Sequence, residues 1–235
     1  MSGVRRNYVA ARDMLRAYPA FWEPGFWRSV ALAREAQRRG AMQKLRELAP
    51  LIALLRRRTP SVVVEIGTAR GGTLYAWCQV ADPQALLVSI DLPCGPFGGG
   101  YTAEDASTFR AYAAPGQRLH FVRADSHVDE TRQMLEQILN GAQIDFLMID
   151  GDHTYEGVRR DFEMYAPFVG SGNPIAFHDI LPHPQGTASE VDQFWNEIRR
   201  DYKYLEFVDL GPDPRGPQYG GIGVLYWDRT LERVS

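Results

Sequence analysis

The sequence VVVEIGTARGGT at residues 62–73 decides the fold of this chain. It joins an apolar run to a glycine-rich turn and then to a helical pattern, which is the order of a strand, a tight turn and a helix. Four further apolar runs lie at Leu86–Ile90, His120–Arg123, Phe146–Ile149 and Ile175–Phe177. Helical stretches separate these runs, and this alternation predicts βαβ units and a parallel sheet. Because each run is apolar throughout, we expect helices to cover both faces of the sheet.

Periodic apolar positions predict the helices that separate these strands. The predicted helices are Thr73–Val80, Asp129–Leu139, Tyr155–Phe168 and Glu190–Tyr202. Two last strand candidates, Leu205–Leu210 and Gly223–Tyr226, are separated by a segment rich in proline and glycine that is too short for a crossover helix. An antiparallel return therefore fits these two strands better than a further βαβ unit.

The amino-terminal part of the chain differs from the rest. Residues 1–58 are helical in pattern, with an amphipathic stretch at Arg28–Arg39, and contain no competing strand. We therefore predict a helical amino-terminal extension over residues 1–58 and a main domain over residues 59–235. The segment Phe21–Trp27 places two aromatic pairs around a Pro-Gly turn. Core packing explains this block, and so does a cap or an oligomer contact beside a ligand.

Length and composition restrict the class of protein. A chain of 235 residues fits one large domain, or one domain with a short appendage. A formal charge of −3 offers no bulk attraction to nucleic acid or anionic membrane, and favours a small-molecule or protein partner. No run of about 18 apolar residues occurs, so we predict a cytoplasmic protein with no membrane partner. Cys78 and Cys94 are too few for a disulfide framework or a four-thiolate zinc site, but leave room for one bridge.

The residues that follow each strand form the candidate site, because ligands of open α/β sheets bind beyond the carboxyl ends of the strands. The first strand is followed by the turn Gly67–Gly72, whose glycines let backbone amides approach a ligand closely. Ala69 replaces the second glycine of the dinucleotide-binding motif, and the Gly-Lys-Ser/Thr of a P-loop is missing. The turn therefore argues against both NAD and ATP.

Acids follow the next two strands. Asp91 ends the second, 24 residues beyond Gly67, where a carboxylate can accept from both ribose hydroxyls of a nucleoside. Asp125 and Ser126 end the third, where the acid can accept from an exocyclic amine such as that of adenine. Together with the glycine turn they predict a nucleoside ligand, although a strand-end aspartate is also a common structural cap.

Carboxylates and imidazoles follow the fourth and fifth strands. Asp150, Asp152 and His153 follow the fourth strand, and His178 and Asp179 follow the fifth. Because the ends of adjacent parallel strands meet in one cleft, this mixture suits a divalent metal ion or general-base chemistry. A single histidine at such a place is more often structural, but two on consecutive strands, each beside an aspartate, favour function.

The residues at these strand ends resemble the class I S-adenosylmethionine-dependent methyltransferases. Glu65–Gly72 resembles their first motif, and Asp91 and Asp125 stand where their ribose- and adenine-binding acids stand. Ile149–Gly157, followed by Phe177–Asp179, is similar to a bacterial subfamily that contains macrolide-sugar and rhamnosyl O-methyltransferases and a cephalosporin-tailoring methyltransferase often labelled cephalosporin hydroxylase. The resemblance covers about residues 60–228.

This resemblance implies a doubly wound, Rossmann-like sheet of seven strands, mostly parallel with an antiparallel last strand, in a methyltransferase domain over residues 59–235. It implies methyl transfer from S-adenosylmethionine to a hydroxyl of a small molecule, such as a sugar or a natural product, with S-adenosylhomocysteine as product. The implied cofactor-binding residues are Glu65, Gly67, Thr68, Ala69, Gly71, Gly72, Asp91, Asp125, Ser126 and Asp150. Gly67, Thr68 and Gly72 would hold the methionine end, and Glu65 would accept from its amino group directly or through water.

The resemblance also implies a metal ion and a base. Characterised relatives hold magnesium with an aspartate at the position of Asp150 and with two consecutive acids after the next strand. Those two positions carry His178 and Asp179 here, so a histidine replaces one expected acid. His178 is compatible with a softer ion, a bound water or a weakened metal site, and Asp152 is a replacement carboxylate. His153 is the predicted proton acceptor.

Two other functions remain open. A binding or scaffold protein that kept the nucleoside pocket but lost its chemistry agrees with His178 in place of an acid. A metal-dependent oxygenase with ferrous iron agrees with Asp and His ligands, but leaves the glycine turn and the ribose acid unexplained. The acceptor does not follow from the sequence, because acceptor pockets are built from variable loops. Pro96–Tyr101 and Phe21–Trp27 are the candidate acceptor wall, and the latter is also compatible with a homo-oligomer.

Overall fold

A computed structural model describes residues 24–183, 189–209 and 219–228 of the chain. The predicted helical pattern before residue 24, which includes Phe21 and Trp22 of the aromatic block, and the turn-rich segment 211–217 lie outside the described residues. Within the described ranges, no helix is long and apolar enough to cross a membrane.

A single seven-stranded sheet forms the centre of the described structure. Its strands are β1 (Val62–Ile66), β2 (Leu86–Asp91), β3 (Arg118–Arg123), β4 (Phe146–Ile149), β5 (Pro174–Leu181), β6 (Lys203–Phe207) and β7 (Gly220–Tyr226). Their order in the sheet is β3-β2-β1-β4-β5-β7-β6. Strands β1 to β5 run parallel, and β7 runs antiparallel to both β5 and β6. This confirms the predicted doubly wound sheet with an antiparallel last strand.

Helices cover both faces of the sheet. They are α1 (Pro24–Arg38), α2 (Leu45–Arg58), α3 (Gly72–Val80), α4 (Ala103–Phe109), α5 (Asp129–Leu139), α6 (Tyr155–Tyr165) and α7 (Val191–Ile198). Helices α1 to α4 pack on one face around Trp77 and Phe146, whose rings meet edge to face at 5.2 Å. Helices α5 to α7 pack on the other face around Phe162 and Trp195. Each large side chain buried in this way stabilises the fold by roughly 1.5–3 kcal/mol.

Helix α1 packs directly against the start of α3. A Cβ on Gly72 would lie 2.1 Å from the backbone nitrogen of Ala41 and 2.5 Å from the carbonyl oxygen of Ala36. Only glycine lets α3 begin this close to the end of α1. Residues 24–58 thus share a hydrophobic core with the sheet, and the division of the chain at residue 58 stays a prediction.

The sheet has a topological switch point between β1 and β4. After β1 the chain continues to β2 and β3 on one side, and then returns to β4 on the other side. The crossovers on the two sides diverge, and this leaves a crevice beyond the carboxyl ends of β1 and β4. The predicted polar residues follow these strand ends.

Some details differ from the sequence prediction. β3 is an edge strand with alternating burial, so the expectation of full coverage is wrong for His120–Arg123. Apolar periodicity does not predict the short helix α4, and α7 ends at Ile198 rather than at Tyr202. Cys78 is buried, Cys94 is exposed and both are free, so they do not form the bridge for which the sequence left room.

Candidate functional site

The glycine turn after β1 is held by the carboxylate that ends β2. Asp91 Oδ2 accepts hydrogen bonds from the backbone N–H groups of Thr68 and Ala69, at 2.9 and 2.6 Å. Gly67 has φ +85°, and a Cβ there would lie 2.0 Å from the carbonyl oxygen of Asp150. Because only glycine permits this approach, the turn rests directly on the end of β4. The turn and two strand ends therefore form one connected unit.

A cavity of about 210 Å³ opens at the carboxyl ends of β1 to β4. Gly67, Asp91, Asp125 and Ser126, all predicted to bind the cofactor, are among its lining residues. The loop that follows β2 contributes Phe97 to the wall. The structure thus places the glycine turn and the two acids predicted to bind ribose and adenine around one space. Apolar walls with a few convergent polar groups are typical of small-molecule sites.

The two acids of the cavity are held differently. Burial raises the pKa of Asp91 above its ordinary value, and the N–H groups of Ala69 and Thr68 offset part of this effect. Asp125 is half-buried and accepts the backbone N–H of His127 at 2.8 Å. Both carboxylates are therefore fixed in orientation by backbone N–H groups while they line the cavity.

Glu65, which is predicted to contact the cofactor, does not line the cavity. Alternation along β1 directs Glu65 to the same face as Val63, toward α3. Its carboxylate accepts hydrogen bonds from Trp77 Nε1 at 2.6 Å and from Thr68 Oγ1 at 2.8 Å. Burial raises the pKa of Glu65 to about 7 in spite of these hydrogen bonds. Glu65 therefore anchors the turn to α3, and its contact with the cofactor, directly or through water, stays a prediction.

Other residues predicted to bind the cofactor also support the turn without lining the cavity. They are Thr68, Ala69, Gly71 and Gly72. The N–H groups of Thr68 and Ala69 point back to Asp91, and a Cβ on Gly71 would lie 2.6 Å from the ring of Phe109. Asp150, the remaining predicted cofactor residue, belongs to a separate cluster beside the cavity. The close approach of neighbouring helices thus requires the glycines at positions 71 and 72.

A cluster of acids and imidazoles lies at the ends of β4 and β5. The acid–imidazole cluster consists of Asp150, His153, His178, Asp179 and His183. Asp150 Oδ1 lies 3.2 Å from His178 Nδ1 and 3.4 Å from His153 Nε2. On the other side, Asp179 lies 3.1 Å from His153 Nδ1 and 3.4 Å from His183 Nε2. The structure thus brings together four of the residues for which the sequence predicts metal or base chemistry, whereas Asp152 lines the cavity instead.

A bulge in β5 lets two consecutive residues reach this cluster. Successive side chains of a regular strand point to opposite faces of the sheet. Asp179 has φ +64°, and the pairing of β5 with β7 changes register between His178 and Leu181. A left-handed residue in a bulge redirects its side chain, at a strain of about 1–3 kcal/mol. His178 Nδ1 and Asp179 Oδ1 consequently lie 3.4 Å apart.

The charges of the cluster stabilise one another. Burial alone would lower the pKa of His153, but its hydrogen bonds to Asp150 and Asp179 outweigh burial and raise that pKa to about 10. The charges of the same two acids overcome burial at His178 and raise its pKa to about 9. In return, the His178 charge and hydrogen bonds from His153 and His183 lower the pKa of Asp179 against burial. At neutral pH the cluster therefore holds carboxylates in contact with imidazolium groups.

The cluster does not fit the predicted magnesium site. Across residues 24–183, 189–209 and 219–228, no group of three His, Cys, Asp or Glu side chains is arranged to hold a metal ion. Asp150, His178 and Asp179 pair with one another instead. A protonated imidazole offers no lone pair, and magnesium prefers oxygen ligands in octahedral geometry. The described residues thus do not support the predicted metal role of Asp150, His178 and Asp179, which form an ion-pair network with one another.

Two further residues complete the site. The ring of Phe97, from the predicted acceptor wall, stacks on the imidazole of His153 with centroids 4.9 Å apart and joins the cavity wall to the cluster. Gln43, in the turn between α1 and α2, donates from Nε2 to Asp150 Oδ2 at 2.7 Å. Gln43 is buried, and its Oε1 has no hydrogen-bond partner in the described part of the chain. No pattern in the sequence singles out Gln43, because this contact is formed only by the fold.

Comparison with known proteins assigns the central part of the chain. Residues 64–180 match the family model of a methyltransferase domain. An uncharacterized protein of Sinorhizobium fredii is 25% identical over 73% of this chain, and an uncharacterized protein of Acanthamoeba polyphaga mimivirus is 32% identical over 49% of it. The matched segments span 18% and 50% of the lengths of these two relatives.

Solved structures share the fold. The O-methyltransferase TomG from Streptomyces achromogenes, in complex with SAM, is 16% identical with a TM-score of 0.54, covering 97% of this chain and 100% of that one. The O-methyltransferase from Bacillus cereus, in complex with SAH, is 15% identical with a TM-score of 0.54, and the match covers 93% of this chain and 98% of that one. The chain has the fold of the class I S-adenosylmethionine-dependent methyltransferases. Residues 64–180 are its methyltransferase domain. The finer resemblance to the macrolide-sugar subfamily stays a prediction.

Proposed function

We propose that this chain transfers a methyl group from S-adenosylmethionine to a hydroxyl oxygen of a small molecule. The observation that carries the proposal is the cavity itself, which combines Gly67, Asp91 and Asp125 and meets the acid–imidazole cluster at the Phe97–His153 stack. A nucleoside-binding space beside a proton-transfer network is the arrangement that methyl transfer to oxygen requires.

Different cavity residues bind different parts of the cofactor. Asp91, fixed by the glycine turn, accepts from the ribose hydroxyls, and Asp125 with Ser126 holds the adenine end. Gly67 has no side chain, and therefore leaves the floor of the cavity open for the methionine end. These roles follow from the position of each residue at its strand end and from the resemblance of the motif.

The reaction breaks one bond to the methyl carbon and forms another. S-adenosylmethionine supplies an activated methyl group on a sulfonium, so the sulfur–carbon bond breaks as the oxygen–carbon bond forms, and the hydroxyl proton must leave. In our proposal the neutral form of His153, a minor form at neutral pH, accepts this proton and becomes the imidazolium, because the side chain is 20% exposed and adjoins the cavity wall. Both of its ring nitrogens contact carboxylates, so the hydroxyl must enter between His153 and Asp150 or Asp179.

Divalent-cation assistance, which the resemblance implies, is not part of this proposal, because the cluster does not fit a metal ion. The imidazolium of His178 provides positive charge beside Asp150 instead. A fixed cation at this place stabilises negative charge that develops on the acceptor oxygen.

A sugar or a natural product is the proposed acceptor class. The resemblance of Ile149–Gly157 to sugar-modifying O-methyltransferases supports it. TomG, which has a similar fold, is an O-methyltransferase involved in tomaymycin synthesis. This acceptor chemistry belongs to TomG, and it supports the proposal only by analogy of fold.

The proposal is tested with methyl-labelled S-adenosylmethionine and a panel of glycosides, phenols, carboxylic acids and amines. The panel is run with chelator-treated enzyme and with enzyme supplied with magnesium. We expect label on a hydroxyl compound at equal rates in both series. Binding of S-adenosylhomocysteine without transfer to any acceptor would favour the binding-protein alternative. Activity that chelation abolishes and magnesium restores would contradict the metal-free mechanism.

A further inference from the structure

A histidine that the motif analysis does not assign lines the adenine end of the cavity. His127 follows Asp125 and Ser126 directly after β3, and its side chain is 20% exposed. Its backbone N–H donates to Asp125 Oδ1, which fixes the turn formed by residues 125–127. His127 is therefore part of the same turn that carries the predicted adenine-binding residues.

Helix α6 contacts this turn through three polar groups. Asp161 is fully buried, and its Oδ1 lies 3.3 Å from His127 Nε2. The same nitrogen lies 3.2 Å from the carbonyl oxygen of Gly157. One helical turn beyond Asp161, the hydroxyl of Tyr165 donates to the carbonyl oxygen of Ser126 at 2.6 Å. Three groups of α6 thus contact two consecutive residues of the turn.

The buried carboxylate of Asp161 requires a positive partner. Burial raises the pKa of Asp161, and the contact with His127 offsets part of this effect, because an uncompensated buried charge is strongly unfavourable. The charged groups that face His127 are all acidic: Asp161 on α6, Asp125 after β3 and Asp152 after β4. The hydrogen bond to Asp161 raises the pKa of His127 above its ordinary value. These acidic surroundings therefore favour the imidazolium form of His127, in which both ring nitrogens carry a proton.

The orientation of the ring leaves one of these protons for a ligand. Nε2 is directed to Asp161 and Gly157, whereas Nδ1 lies on the side of Asp125, 3.9 Å from its Oδ1. We propose that His127 is a further cofactor-binding residue that donates from Nδ1 to a ring nitrogen of the adenine, and that Asp161 is the residue that positions it. This inference rests on the proposed function, since it assigns a residue to the adenine-binding end of the same cavity.

The test is calorimetric titration of the full chain with S-adenosylhomocysteine, at about pH 5.5 and at about pH 8.5, on either side of the ordinary histidine pKa. The variants are His127→Ala, His127→Gln and Asp161→Asn. His120→Gln is the matched control, because His120 lies on β3 but is exposed and outside the cavity. Thermal melting of each variant establishes that it is folded, and the His127 variants test the proposal if Asp161→Asn does not fold.

We expect His127→Ala to bind S-adenosylhomocysteine about ten- to a hundredfold more weakly, as for a lost hydrogen bond from a charged donor. His127→Gln should lose the pH dependence. Asp161→Asn should bind like wild type at the lower pH, where the imidazole is protonated without help, and more weakly than wild type at the higher pH. His120→Gln should bind S-adenosylhomocysteine with wild-type affinity at both pH values.

Two outcomes would overturn the inference while the proposed function stands. One is wild-type affinity in His127→Ala. The other is an equal weakening of Asp161→Asn at both pH values, which would make Asp161 a structural support only. If wild type itself does not bind S-adenosylhomocysteine, the proposed function fails first and this inference fails with it.

Discussion

Gln43 donates a hydrogen bond of 2.7 Å to the carboxylate of Asp150, which lies 107 positions later in the chain. The other oxygen of Asp150 faces His153 and His178, so this contact ties the turn between α1 and α2 to the acid–imidazole cluster. Gln37 fixes the same turn by donating to the carbonyl oxygen of Gln43 at 2.9 Å. The amino-terminal helices therefore contribute to the site as well as to the core.

Replacing Gln43 by alanine should slow methyl transfer without weakening cofactor binding. Asp150 would lose a hydrogen bond to a charged group, worth about 1.5–3 kcal/mol, and with it a fixed orientation. Gln43 does not line the cavity, so the affinity for S-adenosylhomocysteine should stay within about twofold of wild type. Turnover under saturating substrates and calorimetric affinity are the two measurements.

Gln117→Ala is the control for this variant. Gln117 also uses its amide for buried hydrogen bonds, to the carbonyl oxygens of Cys78 and Asp82, but far from the cluster. The Gln117→Ala variant should have a lower free energy of unfolding than wild type and an unchanged turnover. Wild-type turnover in Gln43→Ala would show that the contact to Asp150 has no role in the reaction.

Asp91→Ala should weaken the binding of S-adenosylhomocysteine by about ten- to a hundredfold. The variant loses the proposed acceptor for the ribose hydroxyls and also releases the N–H groups of Thr68 and Ala69. Isothermal titration measures the effect. Asp105→Ala is the matched control, because Asp105 caps α4 with Thr102 at the surface. Equal affinities of Asp91→Ala and wild type would reject the ribose assignment.

Turnover should increase with pH if His153 is the proton acceptor. Asp150 and Asp179 raise the pKa of His153 to about 10, so the neutral form is scarce at pH 7 and increases as the pH rises. Below that pKa, the rate of the chemical step should rise about tenfold for each pH unit. The measurement is the pH profile of kcat for wild type and His153→Gln. A flat wild-type profile between about pH 7 and about pH 9 would remove His153 from this role.

Gly72→Ala should destabilise the chain by about 1–3 kcal/mol, because the added methyl group overlaps the backbone of Ala41 and Ala36. Gly25→Ala is its counterpart in α1, where a Cβ meets nothing within 4 Å. This second variant should keep or slightly raise the free energy of unfolding, since alanine is the better helix former. Denaturant unfolding of both variants is the measurement. Equal stability of the two variants would contradict the close contact between α1 and α3.

The sequence predicts the layout of the sheet well because the signals for it are local. The apolar run of β1 and the periodicity of α5 are reproduced to the residue, at Val62–Ile66 and Asp129–Leu139. The polar residues after β1 to β5 also meet at one edge, as parallel strands require. Helix α4 is missed because its seven residues are too few for a periodic pattern, although Thr102 and Asp105 form a capping box before it.

The roles of individual side chains depend on contacts that the sequence does not show. Glu65 matches the cofactor motif, but strand alternation directs it to Trp77 on α3. The bulge that redirects Asp179 depends on the pairing of β5 with β7. Gln43 reaches Asp150 only through the folded chain. Such residues can be assigned from the sequence only after the fold is known.

The central claim is that the cavity at the ends of β1 to β4 binds the nucleoside of S-adenosylmethionine without a metal ion. Calorimetric titration of chelator-treated wild-type protein with S-adenosylhomocysteine tests it most directly. The account predicts binding at one site per chain, with an affinity that added magnesium does not change. No binding under either condition would contradict the account, and binding that appears only with magnesium would contradict its metal-free site.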